Sequence, residues 1–379
     1  MTAPGTAYGR EYARLPEDLL ADLLADAPVI ADQVQALLGP ALAMRAELRQ
    51  AALAAGLVQQ TAHGPAATSC AVDGGFAVER TVAVDIALSV AVGVEGFAPP
   101  GQACAWESNQ YVSDFHVLGH DLDNERLARA AMIAQELDVL DRAPHEFRVY
   151  DGSHLTPVIQ LNSGFSSRSV DVSGRAAELC ARRELPSTLR AFATDPEIVA
   201  MPKYDSSRSL CDRLSGLVRQ PVPGDDKYVA GLVLRGGEHT IPEQVHGPVW
   251  RQLHLSTPSA DPEVVGLVAQ CDAQLAPLTR FEMYSLYFRP DDTSPAYRVE
   301  VKPDLAHDAD GLASLFGTLH AQMTGPFVRE PYPQYLADVM AKSVSYGLSA
   351  LQTAAQLALT RDNPELAQLV VHSYRTEGK

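Results

Sequence analysis

The chain has 379 residues, of which 46% are hydrophobic and 20% charged, and this composition is typical of a globular protein with one elaborated domain or two. Its net charge of −17 argues against a simple basic surface for nucleic acid, although carboxylates that hold a metal add to such acidity. No run of about eighteen apolar residues and no basic-then-apolar leader is present, so we expect a cytoplasmic protein without membrane contact.

Leucine and alanine dominate the N-terminal stretch, where Leu19, Leu20, Leu23 and Leu24 recur at helical spacing. The pattern continues to about Leu57 and predicts two or three helices ahead of the core. We therefore interpret residues 1–65 as a helical segment that makes dimer or partner contacts.

From about Ser69 the pattern changes to short β-branched runs, with one long helical stretch between them. The predicted elements are, in order, a strand Cys70–Val72 leading into Asp73, a turn at Gly74-Gly75, strands Thr81–Val94 and Asn109–Val117, a helix Asp123–Asp141, and a strand Phe147–Tyr150. Three strands, a helix and a fourth strand are the opening of a ribonuclease-H-like α/β fold. In that layout the first and fourth strands adjoin in the sheet.

Two of these predicted strands end in the same Asp-Gly pair, in Val72-Asp73-Gly74 and in Tyr150-Asp151-Gly152. An aspartate at the end of a buried strand can point its carboxylate out of the sheet edge, while the glycine turns the chain away. For either copy alone an ordinary Asp-Gly turn is the better interpretation. Two copies on adjoining strands would place two carboxylates in one cleft, which suits Mg²⁺ or Mn²⁺ in phosphodiester hydrolysis.

The later part of the core contains further predicted strands. They are Ile198–Lys203, which ends in one of the few lysines, then Tyr228–Leu234, and a hairpin of Phe281–Arg289 with Ala296–Val301. Three histidines, His239, His246 and His254, lie in a Gly- and Pro-rich stretch with irregular spacing, which we interpret as a loop rather than a zinc site. We expect the core to cover residues 66–330 and C-terminal helices over residues 331–379 to pack on it.

Four places in the chain together resemble the NurA family, the nucleases that partner the HerA helicase-translocase in DNA end processing. They are Val72-Asp73-Gly74, Tyr150-Asp151-Gly152-Ser153, Met201-Pro202-Lys203, and Tyr297–Val301 with the later Tyr332-Pro333-x-x-Leu336. Each motif is short, but their order and spacing together are fairly specific, and the resemblance covers about Ala71 to Val344.

The resemblance implies a ribonuclease-H-like, Piwi-like mixed sheet with helical extensions at both termini, and a metal-dependent DNA nuclease. Such an enzyme would combine 5′-to-3′ exonuclease with single-strand endonuclease activity and prefer Mn²⁺, with Mg²⁺ as the alternative. It would work as a homodimer docked on a hexameric HerA-type ring in double-strand-break end resection.

Chemistry then suggests a role for each candidate residue. Asp73 and Asp151 are expected to be metal ligands, and a third carboxylate from the predicted helix should complete the set. Glu136 is the preferred third ligand and Glu125 the substitute. Lys203, at a strand end, is expected to neutralise the phosphate or the transition state.

Contacts to DNA are expected from basic residues. Arg208 is a candidate because guanidinium pairs bidentately with phosphate, although a surface salt bridge explains it equally well. Arg80 and Arg298 are candidates to line a DNA channel. His154, just after the second Asp-Gly, is a candidate for substrate contact.

One departure from the family pattern lies near the C-terminus. NurA proteins commonly carry Ala-His after Tyr-Pro-x-x-Leu, and we match those positions to Val339-Met340, so that methionine replaces the histidine. No acid, base or metal role is then expected from this helix, and the prediction does not rely on Asp338 or Lys342 as substitutes.

Two other functions stay open at this stage. The missing histidine also fits a catalytically reduced interaction protein that regulates a DNA motor, although Asp73, Asp151 and Lys203 speak against it. The other is a ribonuclease-H-like nuclease acting on RNA, because nothing in the sequence tests recognition of the 2′-hydroxyl.

Overall fold

A single ten-stranded mixed sheet lies at the centre of the protein. The computed structural model describes residues 17–245, 261–275, 282–325 and 327–371. Within these ranges the strands are β1 Val58–Gln60, β2 Ser69–Arg80, β3 Asp85–Glu95, β4 Gln110–Leu118, β5 Phe147–Tyr150, β6 Ile198–Ala200, β7 Glu238–Thr240, β8 Glu243–Gln244, β9 Tyr284–Arg289 and β10 Tyr297–Val301.

Helices connect and cover these strands. In the described ranges they are α1 Glu17–Ala25, α2 Ala27–Ala43, α3 Arg45–Ala54, α4 Asn124–Arg142, α5 Thr156–Phe165, α6 Val170–Arg182, α7 Leu185–Thr194, α8 Ser209–Val218, α9 Asp226–Val233, α10 Pro262–Leu275, α11 Pro303–Ala306, α12 Ala309–Ala321, α13 Tyr332–Lys342, α14 Val344–Asp362 and α15 Pro364–Val371. None of these helices combines the length and the apolar character that crossing a bilayer requires.

The strand order is β1-β7-β9-β10-β6-β5-β2-β3-β4, with β8 beside β9. β2, β3 and β4 form an antiparallel meander, whereas β5 and β6 run parallel to β2. A parallel return needs a crossover, and α4 supplies it between β4 and β5. This is the ribonuclease-H-like order, so the α/β fold predicted from the sequence is confirmed.

Helices pack on both faces of the sheet. On one face α4 buries Leu127, Leu137 and Leu140, and on the other α12 buries Leu315 and Phe316. Burying one such side chain stabilises the fold by about 1.5–3 kcal/mol. All four residues of β5 are buried, as expected for a parallel strand covered on both faces.

The N-terminal segment begins with the expected helices but does not stay helical. α3 packs on α8 and α9 through Leu48 and Ala52, and the chain then adds β1 to the edge of the sheet beside β7. α1 and α2 instead keep large apolar side chains exposed, such as Leu24 and Leu37. The expected boundary near residue 65 stays a prediction.

The turn predicted at Gly74-Gly75 is wrong, because β2 runs through this pair as far as Arg80. The chain turns only afterwards, where the hydroxyl of Thr81 donates a hydrogen bond of 2.7 Å to the carbonyl oxygen of Val84. An Asp-Gly pair therefore marks a strand interior here rather than a turn.

The glycine pair serves close packing on both faces of β2. A Cβ on Gly74 would lie 2.4 Å from Oε1 of Glu136 on α4, and a Cβ on Gly75 would lie 2.3 Å from the carbonyl oxygen of Ala341 on α13. Successive residues of a strand point to opposite faces, so α4 and α13 approach β2 from opposite sides.

Two further expectations need correction. Tyr228–Leu234 is not a strand, because it lies in and just after α9, which the side chain of Asp225 caps by accepting a 2.7 Å hydrogen bond from the backbone N–H of Tyr228. The stretch interpreted as a loop contains β7 and β8, and His239 lies on β7. His246 and His254 lie outside the described residues.

Replacing Gly75 with alanine tests the packing of α13 on β2. The added methyl group would meet the Ala341 carbonyl, so we expect Gly75→Ala to lower the free energy of unfolding by about 1–3 kcal/mol, as overpacking typically does. Chemical denaturation measures this. Gly216→Ala on α8 is the control for an added methyl group, because a Cβ there meets nothing within 4 Å and alanine favours a helix, so this variant should be at least as stable as the wild type. A Gly75→Ala variant as stable as the wild type would contradict the packing explanation.

Candidate metal centre

Strand register brings the two predicted aspartates together. Val72 of β2 and Tyr150 of β5 are partners in the parallel ladder, so Asp73 and Asp151 follow side by side. The backbone N–H of Asp151 donates to the carbonyl oxygen of Val72 at 3.2 Å and extends the pairing by one step. Residues in register on parallel strands point to the same face, which here is the face covered by α13.

A third carboxylate comes from α13 and is Asp338. One carboxylate oxygen from each of Asp73, Asp151 and Asp338 lies within 4.8 Å of the other two. One turn earlier, Gln334 donates from Nε2 to Oδ1 of Asp151 at 3.0 Å and to the carbonyl oxygen of Met201 at 3.1 Å. Residues four apart share a helix face, so Gln334 fixes the turn that carries Asp338.

These three carboxylates fit a divalent cation. Their oxygens are the hard ligands that Mg²⁺ and Mn²⁺ prefer, and ligand distances of about 2.0–2.6 Å place two oxygens of one ion at most roughly 4–5 Å apart. Next to the cluster, Oε1 of Gln334 is buried without a hydrogen-bond partner among the described residues, which leaves one polar atom for a bound ion or its water. The residues present thus support a metal centre.

The electrostatics of the cluster also favour the binding of a cation. Burial, and then the negative charge of Asp151, raise the pKa of Asp73 to about 8. The backbone N–H of Gly74 donates to Oδ1 of Asp73 at 2.8 Å and opposes this shift only in part. A cation bound between the carboxylates would stabilise their ionised forms.

Lys203 supplies one positive charge to the cluster. Its Nζ lies 2.7 Å from Oδ2 of Asp151, donates to Asp338 and lies 3.5 Å from Glu330. Burial alone would lower the pKa of Lys203, but the charges and hydrogen bonds of Asp151 and Asp338 outweigh it and raise that pKa. Lys203 is thus a cation held against the cluster by three acidic side chains.

Glu136 lies next to the cluster but outside the three-carboxylate set. It is buried on α4, on the opposite side of β2, with its carboxyl against Gly74. Burial, and then the charge of Asp73, raise its pKa well above the ordinary value, while a hydrogen bond with Tyr150 acts in the other direction. Its role as a ligand stays a prediction. Glu125 lies exposed in the first turn of α4, three turns from Glu136.

His154 is buried in a polar network behind the cluster rather than exposed to a substrate. Its Nε2 lies 2.5 Å from Nζ of Lys302, and its backbone N–H donates to Glu300 at 2.9 Å. Ser153 also donates to Glu300, so this carboxylate on β10 holds the loop that follows Asp151. Burial, and then the charge of Lys302, lower the pKa of His154 to about 4, so the ring is neutral.

The predicted DNA-contacting arginines are engaged within the protein. Arg298 is buried between Asp205 and Glu300, at 2.5 and 2.9 Å. Arg208 lies at the start of α8 and donates to the carbonyl oxygens of Val222 and Gly224. Arg80 lies at the end of β2, 3.9 Å from Asp85. None of the three contacts the carboxylate cluster, and their role with DNA stays a prediction.

Asp338 was missed because the Ala-His positions of the family pattern were matched two residues too late, to Val339-Met340, whereas the residues that directly follow Leu336 are Ala337-Asp338. Met340 packs near β3 and accepts a weak hydrogen bond from Asn109, whereas Asp338 faces the cluster. A signal existed, since Gln334 and Asp338 are polar residues four apart on a helix face with Ala337 and Ala341, both fully buried.

The raised pKa of Asp73 makes both stability and metal binding depend on pH. Without metal, the neutral carboxyl favours the folded state in full below about pH 4, and this contribution is lost as pH rises through about 8. Metal requires the ionised form, so the rise in Tm on adding Mn²⁺ should be larger at pH 8 than at pH 6. Differential scanning fluorimetry measures both trends, and Asp73→Asn should flatten them. A wild type that matches Asp73→Asn at each pH would contradict this electrostatic assignment.

Comparison with solved structures extends the resemblance to most of the chain. The crystal structure of the NurA nuclease from Sulfolobus solfataricus matches with a TM-score of 0.57 and 13% identity, over 92% of this chain and 98% of that one. A further NurA structure matches with a TM-score of 0.49 and 11% identity, over 90% of this chain and 98% of that one. A structure of NurA bound to dAMP and manganese matches with a TM-score of 0.47 and 11% identity, over 86% of this chain and 93% of that one. No protein-family model and no curated protein matches the chain. The resemblance to NurA that the motifs indicated is confirmed in the fold of nearly the whole chain.

Proposed function

We propose that this protein is a divalent-metal-dependent deoxyribonuclease. The observation that carries the proposal is the cluster of Asp73 within β2, Asp151 just after β5 and Asp338 on α13, with the ammonium of Lys203 between two of them. A bound Mn²⁺ or Mg²⁺ would polarise the phosphodiester and lower the pKa of the attacking water. The fold shared with a NurA nuclease supports the same activity.

The chain's own residues would prepare the site for this chemistry. Asp73, Asp151 and Asp338 would hold the cation, and Gln334 orients Asp151 through its 3.0 Å hydrogen bond. Lys203 would stabilise the charge that develops on the phosphate, because a preorganised cation in a partly buried site acts strongly on the transition state. The buried Glu300 keeps the loop after Asp151 in place.

The finer parts of the proposal follow the resemblance. They are 5′-to-3′ exonuclease and single-strand endonuclease activity, preference for Mn²⁺, a cytoplasmic homodimer, and action with a HerA-type hexameric ATPase in end resection. The exposed leucines of α1 and α2, such as Leu24 at 65% and Leu37 at 66%, support a protein contact on these helices.

Cleavage of end-labelled DNA tests the activity. With Mn²⁺ or Mg²⁺ we expect cleavage of 5′- and 3′-labelled single strands that EDTA abolishes. Asp73→Asn, Asp151→Asn and Asp338→Asn should each reduce the rate by more than the roughly 10- to 100-fold typical of a group that only supports a metal ligand. The control is Asp310→Asn, at an exposed aspartate in the first turn of α12, which should cleave like the wild type.

The outcomes of this experiment separate the rival functions. If the wild type cleaves no DNA with either metal, even after addition of a HerA-type ATPase, the proposed nuclease activity is contradicted. The interaction protein that regulates a DNA motor then becomes the favoured function. Faster cleavage of a matched RNA strand than of DNA would replace the deoxyribonuclease with an RNA nuclease. Activity that survives all three substitutions would place the chemistry elsewhere in the protein.

Sedimentation equilibrium tests the proposed homodimer. The wild type should show a mass of two chains, and a Leu24→Glu, Leu37→Glu double variant should shift towards one chain, because charges would replace apolar contacts. Leu357→Glu on α14 is the control, since that leucine is similarly exposed at 69% on a different helix. A wild type that sediments as one chain at all concentrations would contradict the dimer.

A further inference from the structure

A cavity of about 460 Å³ opens directly beside the carboxylate cluster. It lies between the segment that follows β6, the helix α9 and the residues just before β10. Its lining includes Lys203, Tyr204, Lys227, Tyr228, Leu232 and Pro295. Cavities that enclose small organic ligands typically measure about 300–1,000 Å³, so this one is large enough for a nucleotide.

The walls of this cavity are largely apolar and held in place. The hydroxyl of Tyr228 donates to the carbonyl oxygen of Leu38 at 2.9 Å, which ties the ring to α2. Behind the same ring, a Cβ on Gly224 would lie 2.7 Å from Tyr228 Cδ1, so the glycine allows the ring to pack against the backbone. Together with Leu232 and Pro295, this gives a rigid surface for a flat, weakly polar group.

The two lysines of the cavity lining lie next to each other. Lys203 belongs both to the lining and to the carboxylate cluster. The ammonium of Lys227 donates to the backbone carbonyl of Lys203 at 2.6 Å, and an ammonium has three donors, so it can also bind a phosphate oxygen. The apolar end and the cationic end thus match a base and its phosphate.

Both acidic residues of the lining already accept hydrogen bonds within the protein. Asp205 is paired with Arg298 at 2.5 Å and also accepts a 2.7 Å hydrogen bond from the hydroxyl of Ser207. Asp225 is the N-cap of α9 and accepts from the backbone N–H of Tyr228. Both carboxylates are therefore engaged by donors of the protein itself.

Tyr204 completes the cavity at its mouth. It directly follows Lys203 and is 93% exposed, so an aromatic ring stands in solvent one residue from the metal centre. Exposed aromatic rings next to basic groups are the usual platforms on which single-stranded nucleic acids stack their bases. A tyrosine exposed to this degree contributes little to folding.

We propose that this cavity binds one unpaired nucleotide of a single strand next to the scissile phosphate. Its base stacks on Tyr204 and the apolar wall, and its phosphate meets Lys227 and Lys203. A base in a duplex is paired and stacked, and it cannot enter without being extruded, so the cavity selects single-stranded DNA. The proposal rests on the nuclease function proposed above and names how that site recognises its substrate.

Binding of a fluorescent single-stranded oligonucleotide in EDTA, followed by anisotropy, tests the cavity without any cleavage. Tyr204→Ala should weaken binding roughly 5- to 150-fold, the range found when one stacked base is lost, while Tyr204→Phe should bind like the wild type. Binding of blunt duplex should not change.

Lys227→Gln should lower the slope of log K against log salt by about 0.7, the value for one phosphate contact on a single strand.

Tyr111→Ala is the matched control, because Tyr111 is 73% exposed on β4 at the far edge of the sheet. It should bind single strands like the wild type. Normal binding and normal cleavage by Tyr204→Ala would contradict the nucleotide site proposed in the cavity but not the proposed nuclease activity. If Tyr204→Ala loses binding while the wild type cleaves no DNA with any metal, the nucleotide site is supported and the nuclease activity is contradicted. Equal loss in Tyr204→Phe would overturn the stacking contact.

Discussion

Repulsion between three half-buried carboxylates is the constraint on which the rest of the structure depends. The parallel pairing of β2 and β5 forces Asp73 and Asp151 side by side, and α13 adds Asp338 to the same space. Such a cluster is costly unless cations offset it. Lys203 provides one positive charge from the protein, and a divalent cation would provide the remainder. An arrangement that destabilises the empty site is therefore well suited to bind metal.

The scaffold around this cluster is built to bring helices unusually close to one strand. Two consecutive glycines in β2 remove the side chains that would hold α4 and α13 away, and Ala337 and Ala341 keep the facing helix surface small. Behind the cluster, Glu300 accepts hydrogen bonds from the loop that follows Asp151. Backbone packing and buried polar contacts thus position the carboxylates, whereas the exposed aromatic ring beside them serves recognition.

Local features of the sequence were enough to predict the start of β2, the strand that ends just before Asp151, the helix between them and the ribonuclease-H-like order, although β2 continues past Asp73 to Arg80. The helix has a long periodic pattern, and the short apolar runs beside it occur in an order that few topologies fit. The local patterns of these strands do not assign Asp338 to the cluster, because it lies 187 residues after Asp151 and reaches the site only through the packing of α13. Short apolar runs such as Tyr228–Leu234 fit a helix or a strand, and only the Asp225 cap distinguishes them. Arg298 and His154 were chosen as candidate substrate contacts for their residue types, yet both are buried and contact other groups of the protein.

The most direct measurement is a diffraction experiment on crystals soaked in Mn²⁺, with data collected near the manganese absorption edge. The carboxylate cluster predicts an anomalous peak bounded by Asp73, Asp151 and Asp338, close to the amino group of Lys203. An anomalous peak at another group of residues, or none at a concentration that saturates Mn²⁺ binding in solution, would contradict the assignment of this cluster as the metal centre.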